Sequence, residues 1–148
     1  MSTVIRHSYE EDFSAWAEET ADSIEQGQFA DLNLTVLADE VRDLARSEYR
    51  ELQSQIRRLL GHLLKWAYQP EKRSSSWQVS ILNAREKIDD ALEGSPSLKS
   101  KITPQTMERM WQSACKRVVL ETHLPAKLLP SICPWDLNAQ ILNTDWLP

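Results

Sequence analysis

Glycine is scarce in this chain, with only Gly27, Gly61 and Gly94 among 148 residues. Phosphate-cradling loops and dinucleotide-binding turns need several glycines within a few residues of each other. The wide separation of the three glycines excludes both kinds of nucleotide site.

Residues that bind metals are also few. The two cysteines, Cys115 and Cys133, have neither metal-ligand nor redox spacing, so we expect two packed thiols in a reducing cytosol. The three histidines, His7, His62 and His123, are dispersed, and an aliphatic residue stands three positions before each of them. The Glu-x-x-His pairs of helical di-metal bundles are therefore missing. We predict no bound metal and no cofactor.

Long apolar runs are absent, since none approaches the roughly 18 residues that a membrane span needs. The first residues contain no apolar signal-peptide core. We therefore expect a cytoplasmic protein that does not cross a membrane.

The net charge of −5 is unevenly distributed. Residues 1–50 contain 12 acidic and 4 basic side chains, whereas residues 51–148 contain 10 acidic and 13 basic ones. An overall acidic chain disfavours nucleic acid as a partner, although the basic second part leaves a weak case for it.

Helical periodicity dominates the pattern, and β-alternation is absent. Ser8 with Glu11 resembles a capping box for a first helix that ends near Gly27. Apolar residues then recur at helical spacing over 35–69, where Pro70 must end the helix. Further caps at 74–76 and 103–104 predict two more helices, and four prolines punctuate the tail beyond residue 123, with one short helix at 135–142. The fold class is all-α: one domain over 1–148, a bundle of about four main helices with a long second helix and a proline-punctuated C-terminal tail.

The long segment 35–69 forms either one helix or two helices that break near residues 45–47. As one helix it would measure about 52 Å, longer than a compact ball of this chain length. The stripe of Leu37, Val41 and Leu44 would then need a cover. The C-terminal tail, a second copy of the chain in a homodimer, and a different protein are the three candidates.

Several segments together resemble one known family. They are Tyr9-x-x-Asp12-Phe13-x-x-Trp16, residues 37–44, residues 47–52, His62-Leu63-Leu64-Lys65-Trp66 before Tyr68-Gln69-Pro70, Ser76-Trp77, residues 95–98, and Cys133-Pro134. The chain resembles the bacterial family, abundant in cyanobacteria, that is catalogued as domain of unknown function twenty-nine. The resemblance covers nearly the whole chain. It implies an all-α bundle and no known activity.

Aromatic and basic side chains mix where the long helix ends, which is typical of protein-binding hot spots. The residues predicted to contact a partner are His62, Lys65, Trp66, Tyr68, Gln69, Arg73 and Trp77. Since no catalytic set is evident, we expect a non-enzymatic interaction or regulatory protein that binds another protein through the long helix and the following turn.

The alternative is a metal-independent helical ribonuclease or RNA-binding protein that uses Arg57, Arg58, His62 and Lys65. Arg57 and His62 lie about 140° apart on a straight helix, and we therefore expect them not to share a site. Arg58 and His62 share a face and are the candidate catalytic pair in this alternative.

Overall fold

The computed structural model describes residues 5–148, and this part of the chain is entirely helical, without a β-strand. Helix α1 spans Phe13–Glu25, α2 spans Leu34–Tyr68, α3 spans Ser75–Gly94 and α4 spans Pro104–Thr122. Short 3₁₀ helices occupy Pro70–Lys72, Pro96–Lys101 and Ala126–Leu128, and a π-helical turn occupies Leu137–Ile141. The all-α prediction with four main helices is confirmed.

Most helix ends lie where the side chains predict them. The Oγ of Ser74 accepts from the amide of Trp77 at 3.2 Å, and Thr103 Oγ1 caps α4 in the same way, followed by Pro104. The prediction for α1 was wrong by four residues. Ser8 Oγ accepts from Glu11 N at 3.3 Å in a preceding turn, while Asp12 caps the helix itself.

Helix α2 is unbroken over its 35 residues, which decides between the two predicted arrangements. It begins after Asn33, whose Oδ1 accepts from the amide of Val36 at 3.2 Å. It ends at Tyr68 because Pro70 has no N–H to continue the hydrogen-bond ladder.

The chain divides into two compact units, one up to Ser47 and one over Glu48–Pro148. The first unit contains α1 and the start of α2, and the second contains the rest. The single-domain description of residues 1–148 stays a prediction.

The second unit has a continuous apolar core. Helix α2 contributes its largest share, and α3, α4 and the tail complete it. The buried members are Leu52, Ile56, Leu59, Leu60, Leu63, Leu64, Trp66, Ile81, Ala84, Ile88, Leu98, Met110, Trp111, Ala114, Val118, Leu129 and Ile141. The tail therefore packs on the core of its own unit.

A buried arginine fixes the end of the tail. Arg85 in α3 is 2% exposed. Its Nε donates to Ile141 O at 2.8 Å, and its Nη2 donates to Trp146 O at 2.8 Å and Gln140 O at 3.3 Å. Burial lowers the pKa of Arg85, but three carbonyl oxygens replace the lost water.

The first unit has a small core by comparison. Among its described residues only Trp16, Thr20 and Ser23 are buried. Trp16 packs edge-on against Tyr9, with ring centroids 5.4 Å apart. Phe13, the first residue of α1, is 51% exposed.

Candidate functional site

A groove of about 320 Å³ lies between α2 and α4 in the second unit. Both helices contribute basic side chains to its walls, three from α2 and one from α4. The residues that line it are Ser54, Arg57, Arg58, Gly61, His62 and Lys65 from α2, with Ser113, Ala114, Arg117, Val118 and Glu121 from α4. Four cationic side chains thus surround a single carboxylate.

Glu121 is the internal counter-ion of this groove. Its carboxylate pairs with Lys65 of α2 and accepts from Arg117 Nε at 2.9 Å. Hydrogen bonds from Lys65 and then from Arg117 lower the pKa of Glu121, so the group is ionised at neutral pH. Arg57 and Arg58 have no carboxylate partner among the residues that the structure describes.

His62 is half-buried on the α2 wall. Burial lowers the pKa of His62, and the charges of Lys65 and Arg58 lower it further, against a smaller opposing effect of Glu121. The imidazole is therefore neutral at pH 7, and one ring nitrogen can donate a hydrogen bond while the other accepts one.

The expectation that Arg57 and His62 do not share a site stays a prediction. Both side chains line the groove. The helical angle between them is as predicted, but a groove beside a second helix spans a wide arc of α2, and long side chains reach into it from both edges. Gly61 lies between them without a close contact, since an added Cβ would meet only Val118 Cγ2 at 3.9 Å.

The turn after α2 is largely occupied by contacts within the fold. Trp66 and Gln69 are buried, so little of either side chain is exposed for the predicted contact with a partner. Arg73 Nε donates to Trp66 O at 2.8 Å, and its guanidinium carbon lies 5.1 Å from the centroid of the Trp66 ring. Tyr68 and Trp77 pack in part against the core. His62 and Lys65 belong to the groove instead.

The start of α2 exposes aliphatic side chains on one face. Leu34, Leu37, Val41 and Leu44 follow a 3-4-3 spacing, which places them within about 80° of each other around the helix. Leu34 is 66% exposed, Val41 58% and Leu44 70%, while Leu37 is partly buried. We call these four residues the α2 seam. The tail, one of the three predicted covers for this stripe, packs on the core of the second unit.

The family model described as "Domain of unknown function DUF29" matches residues 8–147. The chain belongs to this family. No curated protein and no solved structure matches it. Membership in DUF29 confirms the resemblance, but it assigns no role to the groove or the seam.

Two kinds of structural feature are absent from the described part of the DUF29 chain. Over residues 5–148, no group of three or more His, Cys, Asp and Glu side chains is placed to hold a metal ion. In the same part of the chain, no helix is long and apolar enough to cross a membrane.

The thiols of this DUF29 chain are free and partly buried. Burial raises the pKa of Cys115 to about 11, with a smaller contribution from Cys133. Burial also raises the pKa of Cys133. Neither thiol is an activated nucleophile.

We expect Cys115 to react slowly with a disulfide reagent at pH 8. A pKa raised from 9.0 to about 11 leaves about a hundredfold less thiolate. In the Cys133→Ser variant, the absorbance-detected rate should rise about tenfold per pH unit and keep rising above pH 9.5. The same variant in urea is the control and should react fast. A native rate that levels off near pH 9 would contradict the assignment.

Sequence reasoning missed half of the groove. Arg117 and Glu121 form an i, i+4 pair on α4, which by itself is the signature of a solvated helix face. Only the packing of α4 beside α2 turns that face into a wall.

Proposed function

We propose that this DUF29 protein is a non-enzymatic interaction protein of the bacterial cytoplasm, which binds another protein through the first part of its long helix. The observation that carries the proposal is the α2 seam. Three of its four aliphatic side chains are more than half exposed. Exposed apolar area costs about 25 cal/mol per Å² in water, and a partner helix would recover that free energy.

The charge of the first unit indicates the chemistry of the partner. Residues up to Ser47 include 11 acidic and 3 basic side chains. On α2, Glu40 lies beside the seam, whereas Asp39 and Asp43 lie on the far side of the helix and pair with Arg42 and Arg46. We therefore propose a basic amphipathic helix as the occupant, because opposite charges around an apolar seam favour docking. A second copy of the chain would bring two units of the same sign together.

The free thiols support the cytoplasmic location, since partly buried thiols persist in a reducing compartment. The predicted contact through the following turn is withdrawn for Trp66 and Gln69, which are buried. The proposed contact surface is the seam.

A pair of double variants tests this proposal. Val41→Ser with Leu44→Ser removes the C-terminal half of the seam. Val79→Ser with Leu82→Ser is the matched control, because these α3 residues are 53% and 45% exposed and have the same types and spacing. We expect both proteins to keep their melting temperature to within a few degrees.

Affinity capture with quantitative mass spectrometry reads out the difference. We expect at least one protein with a basic amphipathic segment to be retained tenfold less by the seam variant, and equally by the wild type and the control. Equal retention of every bound protein by both variants would refute the role of the seam.

The RNA alternative is favoured by one observation, which is that Arg57, Arg58, His62 and Lys65 meet in one groove. Cleavage of RNA needs a general acid as well as a base. His62 and Glu121 both have lowered pKa values and are in their base forms at neutral pH. The groove therefore supports binding of an RNA phosphate better than cleavage of the RNA backbone.

A further inference from the structure

The α2–α4 groove has a surplus of positive charge that the fold does not neutralise. Arg57, Arg58, Lys65 and Arg117 face one carboxylate, that of Glu121. Like charges on two facing walls repel each other, and an anion between them relieves that repulsion. The surplus is local, since it lies in a chain whose net charge is −5.

The donors of the groove suit a phosphate group in particular. Guanidinium groups present several N–H donors in a planar fork that matches the oxygens of a phosphate. Two of them, on Arg57 and Arg58, have no carboxylate partner in the described part of the chain. Ser54 and Ser113 add hydroxyl donors from the two walls.

The volume of the groove limits the size of the ligand. About 320 Å³ lies at the small end of the range of about 300–1,000 Å³ for small-molecule sites. That space holds a phosphate with a modest organic group. A polynucleotide would need further contacts along its backbone.

We propose that this groove binds the phosphate of a small phosphomonoester. Glu121 competes with that phosphate for Lys65 and Arg117, and it releases both side chains when the ligand binds. Arg57 and Arg58 hold the phosphate from the α2 wall, and His62 contributes a hydrogen bond at the half-buried side. When a dianion is bound, Lys65 and Arg117 exchange the Glu121 carboxylate for phosphate oxygens. This site is independent of the α2 seam, and its failure would leave the protein-binding proposal intact.

The opposite effects of two substitutions distinguish a binding site from a merely charged surface. Arg58→Gln should weaken binding about tenfold or more, because a charge-assisted hydrogen bond is lost. Glu121→Gln should tighten binding about three- to tenfold, because it frees Lys65 and Arg117 from their competitor. Arg50→Gln is the matched control, an exposed arginine of α2 that does not line the groove.

The probes are adenosine monophosphate and inorganic phosphate, titrated at constant ionic strength into protein with ¹⁵N-labelled histidine. Adenosine, which lacks the phosphate, and a ten-nucleotide single-stranded RNA without terminal phosphates are the comparison ligands. We expect saturable shifts of the His62 ring nitrogens with adenosine monophosphate and phosphate, and none with adenosine. The shifts should move toward the protonated imidazole, because a bound dianion raises the pKa of His62, which burial and the charges of Lys65 and Arg58 lower.

Several results would overturn the proposal. They are a linear, unsaturable response to both phosphate probes, equal affinities of the Arg58→Gln and Arg50→Gln variants, and weaker binding by Glu121→Gln. Binding of the RNA without binding of adenosine monophosphate would also overturn it, and would assign the groove to a polynucleotide backbone.

Discussion

Replacement of Arg85 by methionine should lower the free energy of unfolding by about 3–5 kcal/mol. The arginine is 2% exposed and donates to the carbonyl oxygens of Gln140, Ile141 and Trp146. Methionine fills a similar volume but provides no donor, and each carbonyl oxygen left unsatisfied costs about 1–3 kcal/mol. Urea unfolding followed by circular dichroism measures the loss.

The control for this prediction is Lys87→Met, which removes an exposed cation from the same helix and should change stability by less than about 0.5 kcal/mol. Arg85→Lys should still lose a large part of the stability, because one ammonium cannot reproduce the planar fork. If Arg85→Met were as stable as Lys87→Met, the arginine would not hold the tail.

Replacement of Trp111 by alanine should cost about 4–5 kcal/mol. The side chain is fully buried, its Nε1 donates to Pro130 O at 2.8 Å, and its ring packs edge-on against Trp135 with centroids 5.3 Å apart. Large-to-small changes of buried tryptophan cost about 3–5 kcal/mol, and the lost hydrogen bond adds to this.

Because stabilities of small domains are of the same order, Trp111→Ala could leave the second unit unfolded. Trp111→Phe gives a graded readout, since it keeps most of the packing but loses the donor, and it should cost about 1–2 kcal/mol. Equal midpoints of urea unfolding for Trp111→Phe and the wild type would show that the bond to Pro130 contributes nothing.

The sequence allowed the helices to be predicted because their ends depend on local chemistry. Ser74 and Thr103 cap the helices that follow them, and Pro70 ends α2 by removing one amide donor. The start of α1 was predicted wrongly at Ser8, because a serine can cap an isolated turn as well as a helix. Asp12 is the residue that caps α1.

The tail and the groove could not be predicted because they depend on distant parts of the chain. In the sequence, nothing distinguishes Arg85 from the other charged residues of α3. Its three acceptors lie more than 50 residues away along the chain. The angle of about 140° between Arg57 and His62 around α2 is as predicted. Because α4 lies beside α2, however, both residues line the same groove. No local pattern indicates which helix lies beside another.

The apolar periodicity of the seam, by contrast, was visible in the sequence, but the exposure of its side chains was not. Leu37, Val41 and Leu44 recur as core residues of a helix would, and the same pattern continues into the buried Leu52. Periodicity shows that a face is apolar, and only the structure shows how exposed the side chains of that face are.

Site-specific photocrosslinking from the seam tests the central proposal most directly. A benzophenone amino acid replaces Val41 in the native host, and Arg42, an exposed neighbour off the seam, is the control position. Mass spectrometry then identifies the crosslinked peptide. We expect position 41, but not position 42, to crosslink to a basic amphipathic segment of a different protein. Crosslinks from position 41 only to another copy of this chain, or the same products from both positions, would contradict the account.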